Sequence, residues 1–148
     1  MSSIRISKIA EDTGLLRYAQ SDRSDNNAFF PTYAHLVLFA AVIGYNNSLF
    51  CSDPEFAKKD PIAWDIFENQ RLERGTLADI ARLLGICHEE DVTIVGDTDS
   101  ICKIVEGYSH EGFRLLNEIN QSDDCGGNAL GFMQYWETEM ELINLPNS

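Results

Sequence analysis

At 148 residues and a formal net charge of −13, the chain is long enough for one domain and strongly acidic. A domain of this size buries a core that needs no structural metal or disulfide, and no apolar run approaches the roughly 20 residues that cross a bilayer. The charge excludes nucleic-acid binding through a broad basic face, because affinity for DNA comes largely from cations that neutralise phosphates.

The charge is divided unevenly between the two halves of the chain. Residues 1–74 hold eight Lys or Arg and ten Asp or Glu, a net charge of −2, whereas residues 75–148 hold three and fourteen, a net charge of −11. We therefore expect any contact with DNA to lie in the N-terminal half. The candidate cations are Arg5, Lys8, Arg17 and Arg23. The acidic half is either a solubilising surface or a docking face for a basic partner.

The cysteines indicate neither a metal site nor a redox site. They are widely spaced, and no Cys-x-x-Cys pair is present. Because the N-terminus lacks the apolar stretch of a signal peptide, we expect a cytoplasmic protein whose thiols stay reduced. The four are Cys51, Cys87, Cys102 and Cys125.

The first residues predict a short strand and a helix. Residues 4–7 alternate apolar and polar side chains, as a strand or an extended arm does. Ser7 is the expected N-cap of an imperfect helix that reaches Tyr18, with Gly14 in its middle. Residues 1–23 thus form a candidate strand-helix arm, and residues 21–27 form a polar connector.

The longest apolar run, residues 36–43, predicts a buried helix on which the rest of the chain packs. Thr32, which follows Pro31, is its expected N-cap, and Gly44 is where we expect it to end. Further on, Asp60 and Pro61 could begin either a short helix or an extended segment up to Phe67. Trp64 within that stretch is a core or interface anchor.

The second half begins with a well-marked helix. Thr76 and Asp79 have the spacing of a capping box, and apolar residues recur at helical intervals up to Gly85. Residues 92–95 are mostly β-branched and predict a brief strand.

A longer helix is predicted from Asp97 or Thr98 to Ile119. Within it, Gly107 and Gly112 indicate a bend or a close crossing with another element. Residues 121–128 are then expected to form a linker, and residues 129–142 a last helix that packs on the same domain. The complete pattern predicts a mainly α-helical fold: a compact single-domain bundle of five or six helices with one or two short strands.

Catalytic and metal-binding patterns are absent from the sequence. Cys87 and His88 are adjacent, so on a helix their side chains diverge by about 100 degrees. The acidic stretch at residues 97–100 begins like a calcium loop but lacks its glycine and its final glutamate. His35 and His110 are better explained as structural histidines. We therefore predict a protein that is not an enzyme and carries no cofactor or metal.

Five stretches, in their order along the chain, resemble the small accessory proteins associated with the Dnd system of bacterial DNA phosphorothioation. The resemblance covers residues 4 to about 118, with residues 1–121 as the family-like helical domain and residues 122–148 as an added segment. Gly107 stands where this resemblance leads us to expect an acidic residue. The stretches are Arg5-Ile6-Ser7-Lys8, Phe30-Pro31-Thr32-Tyr33, Phe39-Ala40-Ala41-Val42-Ile43-Gly44-Tyr45, Asp60-Pro61-Ile62-Ala63-Trp64-Asp65-Ile66-Phe67 and Ile104-Val105-Glu106-Gly107-Tyr108-Ser109-His110-Glu111-Gly112-Phe113.

The resemblance implies membership of an antiphage locus in which sulfur replaces a non-bridging phosphate oxygen of DNA. It carries over no catalytic residues. We expect an adaptor or regulatory protein whose partners are other Dnd modification or restriction proteins. The alternative is a regulator that binds DNA, as a dimer paired through its N-terminal strands, or that mimics DNA. Candidate docking residues are Trp64, Tyr108, Trp136, Glu137 and Glu141.

Overall fold

Most of the described residues lie in helices. The computed structural model describes residues 2–19 and 30–121. Strands β1 (Ser3–Ile4) and β2 (Ile62–Ala63) form a two-stranded antiparallel sheet. The helices are α1 (Lys8–Asp12), α2 (Tyr33–Asn46), α3 (Trp64–Asn69), α4 (Leu77–Glu89) and α5 (Thr98–Asn120), and short 3-10 helices lie at Leu15–Tyr18 and Val92–Gly96. This architecture confirms the predicted fold class.

The predictions for residues 20–29 and for residues 122–148 lie outside the described part of the chain. They include the polar connector, the last linker and the C-terminal helix. Among the described residues, no helix combines the length and the apolar character needed to cross a bilayer.

Helix α2 is the centre of the domain, as its apolar run predicts. It packs most extensively against α5. The two helices approach so closely that a Cβ atom on Gly112 of α5 would lie 1.7 Å from the backbone oxygen of Ala40. A Cβ atom on Gly44 would lie 2.2 Å from the backbone oxygen of Tyr108. The close-crossing interpretation of Gly112 is therefore confirmed.

The end of α2 was predicted wrongly. Gly44 does not stop the helix, which continues to Asn46 and has Asn47 as its C-cap. Gly44 has no positive φ angle, unlike the glycines at turns. Its missing side chain is needed for the contact with α5, and a sequence pattern cannot distinguish this use of glycine from a helix stop.

The N-terminal segment is built into the domain. Strand β1 pairs with β2 of the same chain, with Ile4 opposite Ile62; pairing of the N-terminal strands between two copies stays a prediction. Ser7 caps α1 as predicted, since its side chain accepts the N–H of Ile9. The predicted helix up to Tyr18 is interrupted, because Gly14 adopts a left-handed φ of 76° and begins a 3-10 helix.

Three other N-caps are confirmed. Thr32 accepts the N–H of His35, and the side chain of Asp97 accepts the N–H of Ser100. Thr76 and Asp79 form both hydrogen bonds of a capping box. Local hydrogen bonding therefore decides where these helices begin.

Three further predictions need correction. Helix α4 does not end at Gly85, which lies inside it and faces Ile101, but continues to Glu89. Residues 92–95 form no strand. They lie in the 3-10 helix Val92–Gly96, whose N-cap is Asp91, because a connection this short between two helices has no strand beside it to pair with. Asp60 does not cap a helix, since β2 comes first and α3 begins at Trp64.

The Asp97 cap predicts a dependence of stability on pH. Hydrogen bonds from the Ser100 hydroxyl and the Ser100 backbone N–H hold the pKa of Asp97 below its ordinary value. Ionisation of Asp97 therefore stabilises the fold above the unfolded-state pKa of about 3.9, and this contribution is lost as pH falls through the lower folded-state pKa. Asp97→Asn keeps an amide oxygen for the cap but does not titrate. Urea unfolding from pH 7 to pH 2.5 should show the wild type losing stability relative to D97N only in the acid range; parallel curves would contradict the assignment.

Candidate docking surface and aromatic pocket

The connection between α4 and α5 concentrates exposed negative charge. We call residues 89–99 the acidic segment. It contains five carboxylates and no Lys or Arg, and all five side chains belong to exposed residues. Within the described part of the chain, none of the five forms a salt bridge. They are Glu89, Glu90, Asp91, Asp97 and Asp99.

Hydrogen bonds hold part of this segment in place. Asp91 accepts the backbone N–H of Thr93 at 2.9 Å, which caps the 3-10 helix. Asp97 caps α5, and Asp99 accepts a hydrogen bond from the hydroxyl of Ser2. The backbone N–H of Thr93 holds the pKa of Asp91 below its ordinary value, as the Ser100 contacts do for Asp97. These two carboxylates are therefore ionised at neutral pH.

Apolar side chains are exposed on the same segment. Val92 is 67% exposed and Val95 is 44% exposed, and no residue of their 3-10 helix is buried. Between them, Ile94 packs against the hydrophobic core. Two solvent-facing valines flanked by carboxylates give the surface an apolar centre and a charged rim, which is the composition of many protein interfaces.

The cations of the C-terminal half do not neutralise this segment fully. Arg82 contacts Glu68 at 3.2 Å and Asp79 at 3.0 Å. Arg114 pairs with Glu111 and Glu118 on its own helix. The pKa of Asp97, which hydrogen bonds from Ser100 lower most, is lowered further by the charge of Lys103.

The candidate DNA-contacting cations of the N-terminus contact the protein itself. The Arg5 guanidinium pairs with buried Glu106 at 3.1 Å and lies 3.8 Å from the centre of the Phe56 ring. Lys8 pairs with Glu55 at 3.7 Å, and Arg17 donates to the hydroxyl of Tyr18. Arg23 lies outside the described residues. The structure therefore does not bring these cations together as an unpaired basic surface.

The candidate docking aromatics are buried where the structure describes them. Trp64 and Tyr108 are each only 8% exposed. Trp64 packs on Phe67 and lies under the Arg82 guanidinium, so it serves the core. Trp136, Glu137 and Glu141 are outside the described residues.

Next to the acidic segment lies an open pocket of about 450 Å³. Four rings form its walls, and both Cys87 and His88 face it. No sequence pattern indicates this pocket, because its residues come from three separate stretches of the chain. The side chains of the adjacent residues Cys87 and His88 diverge on their helix, but the fold gives each one a partner from another part of the chain. Tyr45 is the partner of Cys87, and Tyr108 is the partner of His88. We call this the aromatic pocket; it is lined by Tyr45, Asn46, Ser48, Phe50, Cys87, His88 and Tyr108.

The rings of the aromatic pocket contact one another. The centre of the Phe50 ring lies 4.6 Å from that of His88 and 4.8 Å from that of Tyr108. Tyr45 and Tyr108 meet edge to face at 5.5 Å. His88 Nδ1 lies 2.7 Å from the Tyr108 hydroxyl, so this hydrogen bond fixes the orientation of the imidazole.

The phenols of the pocket stay protonated at neutral pH. A hydrogen bond with the Cys87 side chain is the main cause of the raised pKa of Tyr45, and burial and the nearby charge of Glu90 contribute less. Burial raises the pKa of Tyr108. Both hydroxyls are therefore neutral groups that can donate or accept a hydrogen bond.

Gly107 makes room for this arrangement. A Cβ atom at Gly107 would lie 2.3 Å from the Phe50 ring and 2.7 Å from the backbone oxygen of Cys51. Of the bend and the close crossing expected at Gly107, the structure shows the close approach of another segment. An acidic side chain, which the family resemblance led us to expect here, would collide with Phe50.

The other chemistry-bearing side chains have structural partners. Burial raises the pKa of Cys102 to about 12, so its thiol is not a nucleophile at neutral pH. Within residues 2–19 and 30–121, no three His, Cys, Asp or Glu side chains cluster closely enough to hold a metal ion. Each histidine places Nδ1 against a hydroxyl, in the pairs His35–Thr32, His88–Tyr108 and His110–Ser7.

Comparison with known proteins identifies the family. No curated protein and no solved structure matches the chain. A family model described as DNA sulphur modification system-associated protein 4 matches residues 5–141. The match continues well past residue 118, so most of the C-terminal segment is part of the family region and is not an addition to it. Since the match covers nearly the whole sequence and agrees with the Dnd resemblance, the chain belongs to the family of DNA sulphur modification system-associated protein 4.

Proposed function

We propose that the protein is a non-catalytic accessory subunit of its DNA sulphur modification system that docks on a basic surface of another protein of that system. The acidic segment is the docking surface. The observation that carries this proposal is that its five exposed carboxylates have no ion-pair partner among the described residues, while Val92 and Val95 stand exposed among them.

The two kinds of side chain have different roles in this proposal. Unpaired carboxylates attract a basic partner over a distance, which raises the association rate and discourages acidic partners. Burial of the valines supplies affinity that salt does not screen, at roughly 25 cal/mol for each Å² of apolar surface removed from water. Restriction proteins and modification proteins of an antiphage locus are the expected partners, because they work on DNA and present basic surfaces to it.

Direct DNA binding has less support. Arg5, Lys8 and Arg17 each contact a group of the protein itself. A phosphate at Arg5 would compete with buried Glu106 for the guanidinium, and a buried carboxylate that loses its charge partner is costly.

A charge-neutralising variant tests the docking surface. In Glu89→Gln/Glu90→Gln/Asp99→Asn the net charge rises by three, while the Asp91 and Asp97 caps remain. We expect capture of modification or restriction proteins by the tagged full-length chain at low salt to fall by at least tenfold. The matched control is Asp53→Asn/Asp65→Asn/Glu73→Gln, which changes the charge equally at exposed acids elsewhere and should keep wild-type capture.

Two further measurements sharpen the result. Capture by the wild type should weaken steeply as salt rises from about 50 to 500 mM, since the attraction is screened. Adding competing duplex DNA tells whether the acidic segment occupies the partner's DNA-binding surface, as a DNA mimic does, or a separate one. Equal capture by both triple variants would refute the acidic segment as the docking surface.

A further inference from the structure

The aromatic pocket lies where two helices end. Tyr45 and Asn46 are the last residues of α2, and Cys87 and His88 belong to the last turn of α4. The last carbonyl groups of a helix have no partner within it, and the helix dipole gives this end a partial negative charge. Two helix C-termini beside one pocket therefore favour a cation in it.

Carboxylates of the acidic segment add to this negative potential. Glu89 and Glu90 follow His88 directly, and Glu90 has a left-handed φ of 56° at the C-cap of α4. Among the described residues, no Lys or Arg lines the pocket. A hydrogen bond with Cys87 is the main cause of the raised pKa of Tyr45, and the charge of nearby Glu90 adds to it.

The walls fit a planar cation better than a point charge. Phe50 is 39% exposed, so part of its ring is open to solvent, and the Tyr45, His88 and Tyr108 rings stand around the same space. A guanidinium group stacks on aromatic faces and is attracted by their electron density. Its five N–H donors suit acceptors such as the phenol oxygens and the side-chain oxygens of Asn46 and Ser48.

We propose that the aromatic pocket receives an arginine side chain from the basic partner, with its guanidinium against Phe50 and its donors toward the ends of α2 and α4. This inference rests on the proposed docking function and makes it specific: the acidic segment attracts the partner, and the pocket anchors one of its arginines. Buried arginine anchors are common among the residues that dominate binding energy at interfaces.

A short peptide tests the pocket without the partner. The probe is acetyl-Gly-Arg-Gly-amide, titrated into the isotope-labelled full-length chain and followed by amide chemical shifts. We expect saturable shifts at residues 45–50, 87–88 and 108. The same peptide with citrulline, a neutral isostere of arginine, should bind at least tenfold more weakly. The lysine peptide should fall between them, because its ammonium does not stack.

Variants place the binding in the pocket. Phe50→Ala should weaken the arginine peptide by about fivefold through loss of the stacking face, and the partly exposed position of Phe50 should leave the fold intact. The matched control is Ile66→Ala, which removes a side chain of similar exposure, 41%, outside the pocket. It should bind like the wild type.

The outcomes separate this inference from the docking function. Equal binding of the arginine and citrulline peptides, shifts confined to the acidic segment, or unchanged binding by F50A would each overturn the arginine pocket. The capture result with the E89Q/E90Q/D99N variant would then still decide the docking function. The converse outcome is that the arginine peptide binds in the pocket while the triple variant still captures the partner like the wild type. That result would reject the acidic segment as the docking surface and would leave the arginine pocket supported.

Discussion

Gly112→Ala should lower the free energy of unfolding by about 3 kcal/mol or more, the largest effect that we expect from a single methyl group in this protein. The added Cβ would lie 1.7 Å from the Ala40 oxygen and 2.5 Å from its carbonyl carbon. Both are backbone atoms of α2, so no side-chain rotation relieves the clash, and α2 and α5 must move apart. Alanine gains about 1 kcal/mol in helix propensity over glycine, too little to compensate. Urea denaturation measures the difference.

Gly96→Ala is the matched control for this prediction. No atom of the part of the chain that the structure describes lies within 4 Å of a Cβ atom at Gly96, and the φ angle of Gly96 is not positive. The free energy of unfolding of G96A should therefore stay within about 0.5 kcal/mol of the wild-type value. If G112A were as stable as G96A, the close crossing of α2 and α5 would be wrong.

Arg5→Ala should destabilise the protein by about 2–3 kcal/mol. Glu106 is 4% exposed and accepts hydrogen bonds from the Arg5 backbone N–H at 2.7 Å, from Nε at 3.1 Å and from Nη2 at 3.2 Å. Loss of the guanidinium leaves a buried carboxylate with only its backbone donor and also removes the contact with Phe56. The loss of stability stays below that expected for a fully buried ion pair, because the Arg5 side chain is 49% exposed and water can take the place of part of the lost guanidinium.

Two comparisons separate burial of charge from simple loss of a contact. Lys8→Ala removes a neighbouring cation whose pair with Glu55 is exposed, and it should cost less than about 0.5 kcal/mol. Adding Glu106→Gln to R5A should recover part of the lost stability, because the uncompensated charge is then gone. A double variant less stable than R5A would show that the cost does not come from the buried carboxylate. Chemical denaturation of all four proteins at neutral pH provides the measurement.

Local signals in the sequence were sufficient for the helix starts. Ser7, Thr32 and Thr76 were identified as caps from residue type and spacing, and each accepts the expected backbone N–H. Such caps depend on atoms within three residues, so the sequence contains everything that decides them. The β-branched run at residues 92–95 misled for the opposite reason, because a strand requires a neighbour that only the fold supplies.

The roles of the glycines could not be predicted from their neighbours along the chain. Gly44 and Gly112 serve the α2–α5 crossing, whereas Gly14 serves a turn with φ of 76°. In a single sequence, a glycine that a helix crossing requires cannot be distinguished from a glycine that a turn requires. The close approach of two helices is a relation between residues about 70 positions apart, and nothing in either local stretch specifies it.

The sequence by itself determined the helical class, the capped helix starts, the buried central helix and the concentration of negative charge in the C-terminal half, because each follows from composition or from neighbours along the chain. Only the tertiary structure decided that Arg5 is held by Glu106 and that Trp64 is buried. It also brought Tyr45, Phe50, His88 and Tyr108 around one pocket. Each of these contacts joins segments that are distant along the chain. The packing of the whole domain selects such contacts, and no pattern within one segment does.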